Sequence, residues 1–351
     1  MRQLTYTQAI NEALHLAMQD NPKLICYGLG TDDPKAIFGT TQKLQECFGT
    51  NRVFDMPTSE NAMTGVAVGC ALGGYPSVMS HQRLDFFLLA MDQLVNSAAK
   101  WHYMFGGQNS VPIVIRLILG RGWGQGPTHS QNLQSWFAHI PGLKVVSPTS
   151  AYDAKGLMLS SIRDNNPVVF LEHRWLGNSV SEVPEEHYEI PLGKAKVVRN
   201  GTDISLIGMS YMTVEAMRAA EYLAEFNISC DIVDLRSIRP IDWETVFNSV
   251  RKTKRLLALD TSQPTCSVAS EIISLVSSTL FSELKSAPHM LANPDNPEPT
   301  SFGLTKHYHP SAEDIVTRVA NMLGIEIPTA PLREKRTCQH DVPGDWFKGP
   351  F

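Results

Sequence analysis

Residues 54–74 read FDMPTSENAMTGVAVGCALGG. A short apolar run, Val53-Phe54, meets a turn at Met56-Pro57, and a helix begins after it. Proline disfavours helix in the residue before it, and Thr58 and Ser59 are both N-cap residue types. The helix body is Ala, Val, Gly and Cys, with Gly65, Gly69, Gly73 and Gly74 leaving little side-chain bulk. Another backbone or a flat ligand can come close to such a helix. One acid, Glu60, stands in its first turn, and no Lys or Arg occurs from Met56 through His81. Two readings of Glu60 are open on spacing alone. Acids complement the dipole at helix N-termini, and a lone carboxyl in apolar company is also the setting of a proton-transfer group.

The strand–turn–helix unit recurs outward in both directions. Before it, Thr7 is expected to cap a helix through Ile10, Leu14, Ala17 and Met18, closed by Asn21-Pro22, followed by a buried strand at Leu24–Gly28. After it come a strand at Ser77–Ser80, a long helix from Asp85 to about Phe105, and a continuous apolar strand at Val111–Leu117. Strands at Lys144–Ser147 and Pro167–Leu171 flank a helix from Ser150 to Arg163. Continuous apolar strands imply that both sheet faces are covered, and this alternation predicts an α/β fold with a doubly wound parallel sheet. From residue 174 the chain turns polar and is broken by Gly177, Pro184, Pro191 and Gly193; a second alternating unit starts at Asp203. The expected division is one α/β domain over 1–180, a linker over 181–200, a second over 201–327 and an extended tail over 328–351.

A chain of 351 residues exceeds one small core, consistent with two domains. With 43% hydrophobic and 19% charged residues and a net charge of −5, the composition argues against nucleic acid or an acidic membrane surface as partner. Six scattered cysteines, without CxxC spacing, are expected to be reduced and mostly in the core, and no apolar run reaches bilayer length. The expected location is cytoplasmic.

A second candidate stretch is GRGWGQGPTHSQ, residues 120–131, directly after the 111–117 strand. In doubly wound sheets ligands sit beyond the carboxyl ends of strands, where this loop must lie. It has neither the GK[ST] of a phosphate-binding loop nor GxGxxG before a helix. His129 is the acid–base or substrate-binding candidate, or else a cap for the helix starting near Gln131. His81 and Arg83 form a polar island between a strand and an apolar helix, either at a pocket mouth or in a solvated turn. No HExxH, GxSxG or metal-spaced cluster is present. One carboxyl, one histidine and a glycine loop do not make a reaction alone, so a cofactor is implied.

Taken together, five segments resemble the β subunit of the thiamine-diphosphate-dependent 2-oxoacid dehydrogenases, the pyruvate and branched-chain type. They are residues 55–74, 91–116 (MDQLVNSAAKWHYMFGGQNSVPIVIR), 122–148 (GWGQGPTHSQNLQSWFAHIPGLKVVSP), 153–172 (DAKGLMLSSIRDNNPVVFLE) and 233–242 (VDLRSIRPID). The resemblance runs from about Leu4 to Leu323. It implies a transketolase-like pyrimidine-binding domain followed by a transketolase C-terminal domain. It also implies that Glu60 bonds to N1′ of the thiamine aminopyrimidine and so assists loss of the C2 proton. Phe86 falls where the family places an aromatic against that ring, although its apolar helix suits plain core equally. His129 matches a histidine that handles the substrate carboxylate or the lipoyl acceptor. Ile113, Ser161, Ile162, Asp164 and Asn166 fall where several members hold potassium, and an ordinary helix C-terminal turn accounts for them equally.

The superfamily's GDG motif for magnesium and the diphosphate is missing, since the one Gly-Asp pair, Gly344-Asp345, lies in the tail. The resemblance therefore implies an α subunit that carries magnesium and the diphosphate cradle, an α2β2 heterotetramer, and a lipoyl acyltransferase core as a further partner. Ser80-His81-Gln82-Arg83 departs from the family's acidic-aromatic-Met stretch, leaving the 2-oxo acid and the acceptor open. An aldehyde or sugar-like acceptor, as in transketolase-like or acyloin-forming synthases, and a non-catalytic assembly role are the alternatives.

Overall fold

The computed structural model describes residues 2–33, 35–120, 124–340 and 342–344. Its strands in chain order are β1 (Arg2–Thr5), β2 (Ile25–Gly28), β3 (Val53–Asp55), β4 (Ser77–His81), β5 (Ile113–Leu119), β6 (Lys144–Val146) and β7 (Val168–His173). They continue with β8 (Val180–Val183), β9 (Lys196–Arg199), β10 (Ile204–Gly208), β11 (Cys230–Asp234), β12 (Ser237–Arg239), β13 (Leu256–Leu259) and β14 (His289–Leu291). A seven-stranded sheet runs β12-β6-β7-β5-β4-β2-β3 and a five-stranded sheet runs β14-β13-β10-β11-β9. Every pair in the first sheet is parallel except β12 with β6, and every pair in the second except β9 with β11. β5 is central, with all seven residues buried, as a strand covered on both faces requires.

The helices Tyr6–Asp20 and Ala151–Arg163 cover one face of the first sheet, where Ile10, Leu14, Leu157 and Phe170 share a core. On the other face, Phe87, Ile115 and Phe137 belong to a core that continues without interruption to Val233, Val246 and Val268 of the second sheet's layer. The two sheets are tied by the chain itself. Residues 233–242 complete β11 in the second sheet and then place β12 on the edge of the first, with Ser237 opposite Val146. Short apolar patterns do not distinguish this crossover strand from a loop.

Several expectations change. The first helix is capped by Thr5, in a capping box with Gln8, and not by Thr7. The expected 85–105 helix is present as helical backbone from 84 to 104, with its hydrogen bonding varying from α at Leu84–Phe87 through a 3-10 turn and a π-helical segment at Gln93–Ala98 to α at Ala99–Met104. The π segment faces the Glu60–Leu72 helix, where Gly65 leaves room for the Gln93 side chain. Residues 181–200 are not a free linker, because β8 pairs antiparallel with β1 and β9 pairs with β11. The tail is not extended over its described part. It forms the helix Ala330–Glu334 and docks on its own domain through Arg336, which bonds Glu313 and Glu215. Asp345, the acid of the tail's Gly-Asp pair, lies outside the described residues. Of the six free cysteines only Cys26 and Cys230 are buried. Among the described residues no helix is long and apolar enough to cross a membrane.

Candidate active site

The candidate residues come from the carboxyl ends of β3, β4 and β5, where parallel sheets present ligands. Glu60 opens the helix after β3. Its residue is 4% exposed, and its carboxylate has no hydrogen bond or ion pair among the described residues. Ser59 stands at the N-cap, yet no side-chain cap bond forms. The first turn is therefore not closed by either residue, so the capping reading of Glu60 has no bond to support it. One turn on, the Tyr27 hydroxyl donates to the Met63 carbonyl at 2.9 Å and Thr64 packs inside, fixing the helix against β2 and β4.

Phe86 lies in the short Leu84–Phe87 helix after β4, half-buried, its ring edge-on to His129 at 5.4 Å and 87°. The structure thus brings Phe86 and His129 into contact. The Thr128 hydroxyl meets His129 Nδ1 at 2.9 Å, and His129 lies ahead of the Gln134–His139 helix without capping it. Arg83, just before Phe86, donates from Nη1 to the His129 carbonyl at 3.0 Å and to Gln125 Oε1. Asp85 accepts from the Gln131 backbone and carboxamide, at 3.3 and 2.8 Å, pinning the other side of the loop. Gly126 has φ +66°, and a Cβ there would collide with the Thr300 hydroxyl, so only glycine lets this loop lie against the second domain. Residues 121–123 of the glycine stretch are outside the described residues.

His81 is neither in a solvated turn nor at a surface entrance. It ends β4 only 1% exposed, its ring edge-on to Phe87 at 4.9 Å, and neither ring nitrogen has a partner among the described residues. Burial pushes its pKa down to about 3, so it is a neutral wall residue. Beneath this edge, Arg116 on β5 makes a two-pronged bond to Glu172 on β7 at 2.7 and 3.0 Å and donates to Ser80 Oγ at 3.0 Å. The pairing neutralises a guanidinium that is fully buried in the sheet centre.

Arg174, in the stretch read as a polar break, belongs to the site. It follows β7 and is 5% exposed, and it donates from Nη1 to the same Gln125 Oε1 at 2.6 Å. Burial first, and then the neighbouring Arg83, lowers its pKa to about 10, against the opposing charge of Asp85. The available signal was positional, because EHRWLG sits at the carboxyl end of a buried strand. The potassium candidates gather at the end of the 151–163 helix, but Asp164 is committed. One oxygen pairs with Lys144 and the other accepts from the Asn166 backbone at 2.9 Å, while its own N–H closes onto the Ser160 and Ser161 carbonyls. That is the ordinary helix-end arrangement.

The chain matches the family described as "Transketolase, pyrimidine binding domain" over residues 2–179 and "Transketolase, C-terminal domain" over 193–315. It is 41% identical to the acetoin:2,6-dichlorophenolindophenol oxidoreductase subunit beta of Cupriavidus necator, over 90% of this chain and 96% of that one. The chain belongs to the β subunits of the thiamine-diphosphate-dependent 2-oxoacid dehydrogenases. The pyruvate dehydrogenase E1 component subunit beta of Rickettsia felis is 38% identical, over 90% of this chain and 97% of that one. A solved "split gene transketolase, inactive beta4 tetramer" superposes with a TM-score of 0.73 at 21% identity, covering 92% and 99% of the two chains, which is a likeness of fold.

For this β subunit, the residues present fit the pyrimidine end of thiamine diphosphate. A buried carboxylate without a partner suits a ring N–H, and the half-buried Phe86 ring offers an apolar face. No group of three or more His, Cys, Asp or Glu among the described residues is placed to hold a metal ion.

Proposed function

We propose that this chain, with an α subunit, decarboxylates a 2-oxo acid on thiamine diphosphate and passes the acyl group to a lipoyl acceptor. The observation that carries this is the Glu60 carboxylate, buried and bonded to nothing among the described residues. When bound, thiamine diphosphate supplies the electron sink that loss of carbon dioxide requires. Glu60 holds or accepts the proton at the pyrimidine N1′, Phe86 backs the ring, and His129, anchored by Thr128 and Phe86, meets the substrate. Buried His81 and Phe87 keep water from the floor.

The α partner contributes magnesium and the diphosphate cradle in this reading, in an α2β2 assembly that docks on a lipoyl acyltransferase. Support comes from the apolar surface this chain leaves open. Val66, Leu72 and Tyr75 near the small-residue helix are 48%, 39% and 47% exposed, and Tyr103 is 89% exposed. Surface of this kind marks association. Six free cysteines fit a reducing, cytoplasmic setting. Potassium is not part of the reading, because Asp164 is already paired. A second reading, transfer to an aldehyde, is favoured specifically by the Arg83–Arg174 pair.

The test is Glu60→Gln in the reconstituted complex, assayed with a panel of 2-oxo acids and an artificial electron acceptor. Loss of a positioned proton-transfer group lowers turnover on the order of 10²–10⁴-fold. Unchanged turnover would make this chain an assembly subunit.

A further inference from the structure

Arg83 and Arg174 both point a guanidinium nitrogen at one neutral acceptor, Gln125 Oε1. Neither makes an ion pair with a carboxylate among the described residues. Asp85, the nearest acid acting on both, spends an oxygen on Gln131 instead. Arg174 is 5% exposed, and its Nε is buried without a partner among the described residues. Two converging cations with a shared neutral oxygen are a costly arrangement for stability alone, since buried charges are normally paired. Guanidinium forks do match carboxylate and phosphate oxygens.

We infer that Arg83 and Arg174 form an oxyanion-recognition pair beside Phe86 and His129, with the Gln125 carboxamide oxygen standing where an anionic substrate oxygen binds. The ligand class is a donor or acceptor carrying a phosphate or carboxylate group distal to its reacting carbonyl. Gln125 lies between Gly124 and Gly126, both with positive φ, on a backbone that can carry its side chain aside. The inference deepens the proposed function by naming the substrate class of the same site. Its binding readout does not depend on turnover.

The test titrates inorganic phosphate, and separately malonate, into the thiamine-diphosphate-saturated complex of the full chain with its α partner, followed by calorimetry. Wild type is expected to bind at least one of the two saturably. Arg83→Met and Arg174→Met should each weaken binding by about 10- to 100-fold, the loss of a charge-assisted bond. Gln125→Ala should bind as well or better. Gln125→Glu should abolish binding while raising the thermal midpoint, because its carboxylate becomes a built-in oxyanion. A purely structural role for Gln125 would lower the midpoint in both variants. Binding of phosphate alone assigns a phosphorylated partner, and binding of malonate alone a distal carboxylate. In steady state, the arginine variants should raise KM for the matching anionic substrate by a factor comparable to the loss seen in the titration. No binding of either anion by wild type, or equal binding by wild type and Gln125→Glu, overturns the inference. A failure of Glu60→Gln to affect turnover would leave the anion titration unchanged, so the two ideas fail separately.

Discussion

Replacing His81 with Phe should flatten the acid side of this chain's stability profile. His81 is 1% exposed, its ring lies edge-on to Phe87, and both ring nitrogens are buried without partners among the described residues. Burial lowers its pKa from an ordinary 6.5 to about 3. The sign follows from which state takes the proton. Above pH 6.5 both folded and unfolded chains carry a neutral ring, and the shift has no effect on stability. Between 6.5 and 3 only the unfolded chain binds the proton, so stability falls as pH falls and levels off below the folded pKa. At pH 5.5 the loss is about 1.4 kcal/mol relative to pH 8 for this one group. His173, pushed down to about 3 by burial and by His309 and Arg174, adds a similar loss that the variant keeps. Removing two unpartnered nitrogens also gains about 1–3 kcal/mol at every pH, against a comparable cost if the larger ring overpacks. The absolute offset therefore matters less than its change with pH. Urea unfolding followed by tryptophan fluorescence at pH 8 and 5.5 measures it. The variant should lose about 1.4 kcal/mol less than wild type between the two. Identical pH dependence in wild type and His81→Phe would refute the buried neutral histidine.

Two further perturbations test the frame around the site. Glu172→Gln removes the charge partner of Arg116 in the sheet centre and should destabilise by about 3–5 kcal/mol, read as a lowered urea midpoint with kcat disturbed only through stability. Arg336→Met takes the charge partner from Glu313 at the tail's docking point, while Glu215 keeps Arg218 and the Tyr211 hydroxyl, and should lower the urea midpoint near neutral pH. Burial raises the Glu313 pKa in wild type, but the Arg336 bonds outweigh it and hold the group below its ordinary value. Wild type therefore loses that contribution as pH falls, while the variant gains when the Glu313 carboxyl, left without Arg336, protonates, and the gap measured at pH 7 should narrow at pH 5.

The sheets were legible because β2, β4, β5, β7, β10, β11 and β13 are buried on both faces and read as continuous apolar runs. Glu60 was legible because one acid stands out in a helix of small residues. Three kinds of feature were not. β1, β8, β9 and β12 are edge or two-stranded pairings of three or four residues, whose partners lie far along the chain and decide whether they are strands at all. The change to 3-10 and π hydrogen bonding within 84–104 lies where the segment meets the Glu60–Leu72 helix, and its own residues favour plain helix throughout. Arg174 was hidden because composition places it in a polar break. The strand read at 167–171 put the break at a carboxyl end, and the fold adds that this end lies beside the loop that carries His129.

The distribution of satisfied and unsatisfied polar groups separates scaffold from site. Deep in the first domain two buried cations have counterions: Arg116 bonds Glu172, and Lys155 bonds Glu12 at 2.6 Å together with three carbonyls. Along the carboxyl edge of the same sheet the pattern reverses. Both nitrogens of His81, Ser130 Oγ, Arg174 Nε and the Tyr6 hydroxyl are buried without partners among the described residues, and the carboxylate of Glu60, a residue 4% exposed, makes no hydrogen bond or ion pair among them. An unpaired buried polar group costs about 1–3 kcal/mol, and such groups among the described residues also lie away from this edge, at Ser77 Oγ where β4 begins and at Trp101 Nε1. A cofactor ring at Glu60, an oxyanion at the arginines and an α subunit over the small-residue helix each supply the partners that the chain by itself does not. In the proposed function Glu60 and His129 serve chemistry common to the family, and in the further inference Arg83 serves whichever substrate this chain selects.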